Sequence, residues 1–199
     1  MSAISGVLGE VLWGTPVNIT GISEASSAVI SIADTSQFTV GSRVIVRGVV
    51  GMTEINNLHG TVTNVVANTS ITVDINSSAF TTYGSGGTVS LVIDVDKFSY
   101  TKKGATANVT DSSSNQWEDH IPSGFVGITG TFEGFLKSGV KKPTFHSAIA
   151  FGFYETDTDY LTGTGIITDE GTTLEVSGTN AVKITFSFQG TGSYTDTNS

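Results

Sequence analysis

The stretch VKITFSFQ, residues 182–189, sets Val182, Ile184, Phe186 and Phe188 against Lys183, Thr185, Ser187 and Gln189 in strict alternation. A period of two belongs to a β-strand with one buried face, because successive side chains leave a strand on opposite sides. The same rhythm, or a short β-branched run, recurs outward from it in FVGITGTFEGFL (125–136), AIAFGFYE (148–155), TVSLVIDV (88–95) and RVIVRGV (43–49). Further candidate strands lie at 7–13, 28–31, 60–66, 70–73, 97–101, 107–110, 160–168 and 172–177, separated by Gly, Asn, Asp and Ser. Sustained i, i+3, i+4 spacing is absent. The best helical candidate, Pro143 to Ile149, is short and reads equally well as the approach to a strand. The expected class is all-β, a sandwich or barrel. Phe132, Phe135, Phe151, Phe153, Phe186 and Phe188 fall on three of these strands and are expected to line the core.

At 199 residues the chain can bury a core without staples, and it has no cysteine for a disulfide, a thiolate metal site or a thiol nucleophile. Only 14% of residues are charged, against roughly 25% in ordinary soluble domains. A surface so poor in charge is expected to be largely covered by partners. The formal net charge of −9 argues against a protein that wraps nucleic acid by neutralising phosphates. It fits equally a protein that lets nucleic acid slide past and one whose acidity serves solubility. Met1 to Glu10 show neither the basic nor the apolar segment of a signal peptide, and no stretch approaches a membrane span, so folding in the cytoplasm without a membrane anchor is expected.

Residues that could carry chemistry are sparse. His59, His120 and His146 are scattered, without metal-ligand spacing, and read as surface or turn residues. Among the acidic pairs, Asp94 and Asp96 are two apart on a candidate strand and would share a face. Asp157 and Asp159 resemble the start of a calcium loop but lack its glycine and closing glutamate, and read as a hairpin turn. A nucleophile elbow, a phosphate loop and a dinucleotide fingerprint are all missing. No catalytic residue, cofactor or metal is therefore expected, and the chain reads as a non-enzyme. The doublets Lys102/Lys103 and Lys141/Lys142 read either as solvated loop charges or as partners for acidic loops of a neighbouring subunit.

The rhythm of strands and turns changes near Val17 and again near Leu91. Residues 18–90 carry two arginines against four carboxylates, a net of −2, which leaves −7 on the remainder. Insertion of a small module into a surface loop costs little, because loop-closure entropy grows only logarithmically with length. The expected organisation is one β domain formed by residues 1–17 and 91–199, interrupted by a small β module at 18–90.

Two resemblances follow from the residues. The stretch from Ile93 to Gly134 carries Val109 and Thr110 at a strand end, then Asp111, a serine-rich loop, Trp117, the turn residues Pro122 and Gly124, and a long alternating strand. With Phe188, Gln189, Gly190 and Gly192 of FQGTG near the C-terminus, this order resembles the major tail tube proteins of long-tailed, siphovirus-like bacteriophages. The stretches Gly51–Asn56, Val62–Asn68 and Phe80–Gly87 resemble the small β module named after the FCCH domain of ubiquitin-activating enzymes, a resemblance of fold and not of ubiquitin chemistry.

The first resemblance implies a structural subunit of the virion tail, assembled in the host cytoplasm. Six copies would form a ring whose inner strands join into one barrel. Rings would stack as a homo-oligomer into a channel for genome delivery. Tape measure, tail terminator and tail-tip proteins are the implied partners, and DNA would pass without adhering. Asp94, Asp96 and Glu133 are the candidate lumen-facing acids. The loop from Lys102 to Ile121, with Lys102, Lys103, Asp111 and Asn115, is the candidate contact to the next ring. The alternative is a capsid decoration or tail-tip adhesion protein whose small module binds a glycan. A polysaccharide-active enzyme would need paired carboxylates in an aromatic groove, and Trp13 and Trp117 are too isolated to form one.

Overall fold

The computed structural model describes residues 8–111, 113, 118, 120–137, 140–154, 160–174 and 181–197. Ten strands account for most of them: β1 (Leu8–Ile22), β2 (Val29–Ile32), β3 (Arg43–Val50), β4 (His59–Val66), β5 (Ser70–Val73), β6 (Ser85–Asn108), β7 (His120–Lys137), β8 (Ala148–Tyr154), β9 (Tyr160–Leu174) and β10 (Ala181–Asp196). A single 3-10 turn, Thr53–Ile55, is the one helical element among the described residues. The chain is all-β.

The strands pair in the order β1-β2-β5-β4-β3-β6-β7-β10-β9-β8 and close on themselves, with an additional pairing between β1 and β6. That extra ladder divides the closed sheet into two smaller rings, one through β2 to β5 and one through β7 to β10, each completed by β1 and β6. Both shared strands are long because each crosses both rings. Gly9 to Trp13 pair with Val95 to Leu91, and after a register shift Val17 and Asn18 pair with Val89 and Thr88. The shift accommodates Gly14, at φ 71°, and Pro16, which has no N–H to give a ladder. Gln37 supplies the missing pairing with its side-chain amide, accepting from the Thr15 N–H at 3.2 Å and donating to the Thr15 carbonyl at 2.7 Å.

Each ring encloses its own core. Ile19, Ile30, Ile32, Val44, Val46, Met52, Ile55, Ile71, Val89 and Leu91 fill the smaller barrel. Val11, Ile93, Ile128, Phe132, Ile149, Phe151, Phe153, Leu161, Ile184, Phe186 and Phe188 fill the larger one. From the shared strands, Ile19, Ile22, Val89 and Leu91 enter the smaller core and Val11 and Ile93 the larger, and Trp13 packs against both. The aromatic residues of the larger core form a contiguous stack: Phe151 lies 4.7 Å from Phe188 and 5.3 Å from Phe153, and Phe98 lies 4.6 Å from Phe153.

Several expectations need correction. The three candidate strands at 88–95, 97–101 and 107–110 are one strand, β6, and the candidates at 160–168 and 172–177 are joined in β9 as far as Leu174. Pro143 to Ile149 is not helical. The Thr144 N–H donates to Ser147 Oγ and the Ser147 N–H to the Thr144 carbonyl, closing a tight turn with His146 at φ 66° before β8 begins at Ala148. Phe135 does not join the core and is 49% exposed. It stands three residues after buried Phe132, and an odd spacing reverses the face. Asp157 and Asp159 lie outside the described residues.

Candidate functional site

The most prominent feature is an arm. Up to Val95, β6 lies between β1 and its other neighbours; beyond it, β7 is its only partner among the described residues, down to the pair Asn108↔His120. On the other side, β10 pairs with β7 only from Thr129 onward. From Lys102 to Asn108, with the facing residues of β7, the hairpin therefore runs with both outer edges open among the described residues. Six residues span roughly 20 Å. Thr101 to Gly104 and Thr106 to Asp111 are exposed. The base of the arm is tied down where Lys102 forms an ion pair with the buried Asp196 at the end of β10.

Lys102 and Lys103 thus sit in a strand rather than in the expected loop, and Ile121 is in a strand as well. The segment KKGATAN hides its strand character because both faces meet solvent, so no apolar alternation marks it. Val109, Thr110 and Asp111 follow β6 at the tip and are exposed, with Asp111 Oδ1 accepting from the Ser113 N–H at 2.7 Å. Trp117 and Asn115 lie outside the described residues. Pro122 and Gly124 were expected in a turn and are found inside β7. Pro122 pairs with Thr106 beside a register shift, on a stretch of β7 whose other edge is open among the described residues, the kind of strand position that tolerates a proline.

The residues of the FQGTG close have separate structural roles. Phe188 is 1% exposed, with its ring 4.7 Å from Phe151, 5.9 Å from Phe153 and 6.4 Å from Phe132. Gln189 faces outward and donates from Nε2 to the Ile128 carbonyl at 3.2 Å. At Gly190 a Cβ would stand 2.1 Å from Ile128 Cγ2, so the two strands pass too closely for a side chain. Gly192, at φ 78°, lies in the irregular stretch of β10 between Thr191 and Thr195.

The outward face of β6, β7 and β10 is hydroxyl-rich. Cross-strand rows place Ser99 beside Thr131 and Ser187, and Thr101 beside Thr129 and Gln189. The Ser99 and Thr131 hydroxyls are 2.8 Å apart. At one end of this face Glu133 takes an ion pair from Lys183 at 2.9 Å and lies 3.9 Å from Lys97. The Lys183 ammonium holds the Glu133 carboxyl below its ordinary value. This candidate acid therefore stands between two lysines.

Asp96 is exposed and occupies a bulge, since Val95 pairs with Gly134 and Lys97 with Glu133. The backbone of Asp94 pairs with that of Glu10.

A polar cluster at the junction of the barrels was not singled out in the sequence. Glu10 on β1 forms an ion pair with Arg47 on β3, and its second carboxylate oxygen is 3.3 Å from His59 Nε2 on β4. Burial raises the Glu10 carboxyl, and hydrogen bonds from His59 and Arg47 with the Arg47 charge outweigh it, leaving the group below its ordinary value. His59 is thereby a half-buried strand residue and not a turn residue. The partners stand 37 and 49 residues from Glu10, a separation that leaves no local signal. His120 is in β7, 3.3 Å from Glu118, and His146 lies in its turn against Phe145 at 3.8 Å between ring centroids. Among the described residues no group of three or more His, Asp or Glu is placed to hold a metal ion.

Comparison with known proteins bears on part of the chain. The family described as the ubiquitin-activating enzyme E1 FCCH domain matches residues 20–93. This span takes in β2 to β5 and the parts of β1 and β6 that complete the smaller barrel. No curated protein matches the chain. Among solved structures, a chain of the tail of an empty GTA particle, computed with helical refinement and C6 symmetry, is similar with 13% identity and a TM-score of 0.40. The match covers 53% of this chain and 83% of that one.

Proposed function

We propose that this chain is a structural subunit of a phage tail tube, which self-assembles through its β6–β7 arm into stacked hexameric rings and performs no catalysis. The observation that carries the reading is the arm: a two-stranded ribbon with open edges on both sides among the described residues. A lone hairpin is marginally stable in water, and open edges invite another strand. A neighbouring copy offering the same ribbon would satisfy both edges and would do so around a closed ring. The resemblance of the 93–134 region and of Phe188 to Gly192 to tail tube proteins supports the same reading.

In this reading the hydroxyl-rich face of β6, β7 and β10 lines the channel. Ser and Thr present neutral, hydrated groups over which a duplex can move, and Glu133 offsets one of the two positive charges of Lys97 and Lys183. Asp94 and Asp96 are the proposed repelling acids. Residues 18–90 are an inserted module on the tube exterior, where a second barrel does not obstruct the channel. Tape measure, terminator and tip proteins would complete the tail, and the assembled protein would reside in the virion.

Negative-stain microscopy of the purified chain tests the reading. Stacked rings with an open channel are expected, and deletion of Thr110 to Asn115 at the arm tip should leave soluble subunits that fail to stack. Normal tubes from that deletion variant would refute the role of the arm. A chain that forms only monomers or trimers would instead point to a decoration or adhesion protein.

A further inference from the structure

The arm needs a seat, and the far part of the larger barrel presents a surface suited to it. Phe145 is 53% exposed with the His146 ring tilted against it, and Ile166 on β9 is 37% exposed. The His146 N–H donates to the Ile167 carbonyl at 3.0 Å and the Phe145 N–H to the Glu170 carboxylate Oε2 at 3.2 Å, so one backbone and one side-chain bond hold the turn beside β9. The turn thus holds Phe145 outward next to the strand that carries Ile166, with the lysine pair beside it. Lys141 and Lys142 lead into the turn. Lys142 is paired with Glu170, while the Lys141 ammonium donates to the Ser36 carbonyl, a bond that satisfies one proton and cancels none of the charge.

The arm tip carries complementary groups. Val109 is an exposed apolar residue at 40%, Asp111 follows it by two residues, and Glu118, 79% exposed, precedes β7 on the return. The two surfaces cannot meet within one chain. Glu170 is level with Phe186, Phe132 and Phe98 across the sheet, ten residues short of Asn108 on β6. That separation is roughly 33 Å along the strands. Complementary surfaces displaced along one axis make a heterologous contact, which propagates into a stack.

We infer that the corner formed by Phe145, His146 and Ile166, with Lys141 at its rim, is the seat for the arm tip of a second copy, Val109 packing on Phe145 and Asp111 facing Lys141. The inference rests on the proposal above that the chain polymerises.

The chain has no cysteine, so crosslinking is clean. A Val109→Cys, Phe145→Cys double variant, oxidised after assembly, is expected to give a ladder of covalent multimers, whereas each single variant gives at most dimers. Tubes of the double variant without a ladder would overturn the seat while leaving the tail-tube reading intact. Failure of the unmodified chain to form rings or tubes would overturn both. As a second measurement, Asp111→Lys is expected to lower tube yield on the order of tenfold, and Lys141→Glu in the same chain to restore it. A double variant no better than Asp111→Lys would overturn the pairing.

Discussion

Replacing Trp13 by alanine tests how the two barrels share one strand pair. The indole packs against both cores at the point where β1 and β6 pass from one ring to the other. Truncating a buried tryptophan costs about 3–5 kcal/mol, and the half-buried position of Trp13 puts the expected loss near the low end, about 3 kcal/mol. For a chain of this size that corresponds to a drop in Tm of roughly 6–12 °C. Because neither ring closes without the β1–β6 ladder, the loss should be felt on both sides of it. Hydrogen exchange read by mass spectrometry separates the two. Core amides of β3 and β5 report the smaller barrel, and those of β7 and β10 the larger. Both sets are expected to exchange about a hundredfold faster in the variant, the factor equivalent to the lost stability. Faster exchange confined to one barrel, with the other unchanged, would refute the coupling.

Three further outcomes follow from particular contacts. Glu10→Gln should lower stability by roughly 2 kcal/mol at neutral pH, since it removes a charged hydrogen-bond acceptor shared by Arg47 and His59. A carboxyl whose folded value is depressed stabilises above its ordinary value of 4.5 and ceases to as pH falls through the folded value, so wild type and variant should converge in acid; urea midpoints that keep a constant gap from pH 7 into acid would contradict this. Gly190→Ala should cost about 1–3 kcal/mol, because its Cβ meets Ile128 Cγ2 at 2.1 Å, and an unchanged urea midpoint would show that the strands can part freely. Asn18 and Thr88 are cross-strand partners, so replacing residues 19–87 by an Asn-Gly turn should close a hairpin and leave the larger barrel folded, though less stable where Trp13 and Leu91 lose their neighbours. Circular dichroism showing an unfolded chain would mean that residues 18–90 are not a separable insertion.

The strand class was legible wherever one face is buried. Residues 183–189, 128–135 and 148–153 carry their buried apolar side chains at alternate positions because one side of each strand meets the core, and all are strands in the fold. Phe135 misled because a single aromatic in such a run carries no sign of its own face; its spacing from Phe132 decides it. The arm was unreadable as strand for the opposite reason. Residues 102–108 have solvent on both faces, and with no burial there is no period to see.

What the sequence determined by itself was an all-β chain, poor in charge, with a module resembling the FCCH domain between Val17 and Leu91. Those properties are written in composition and local periodicity. Only the tertiary structure decided that β1 and β6 each run unbroken through two barrels, that Glu10 meets Arg47 and His59, and that Glu133 stands between Lys97 and Lys183. Each depends on register between strands far apart in the chain, and register is set by which cores close around which ladders, a property of the whole sheet that no single stretch of residues contains.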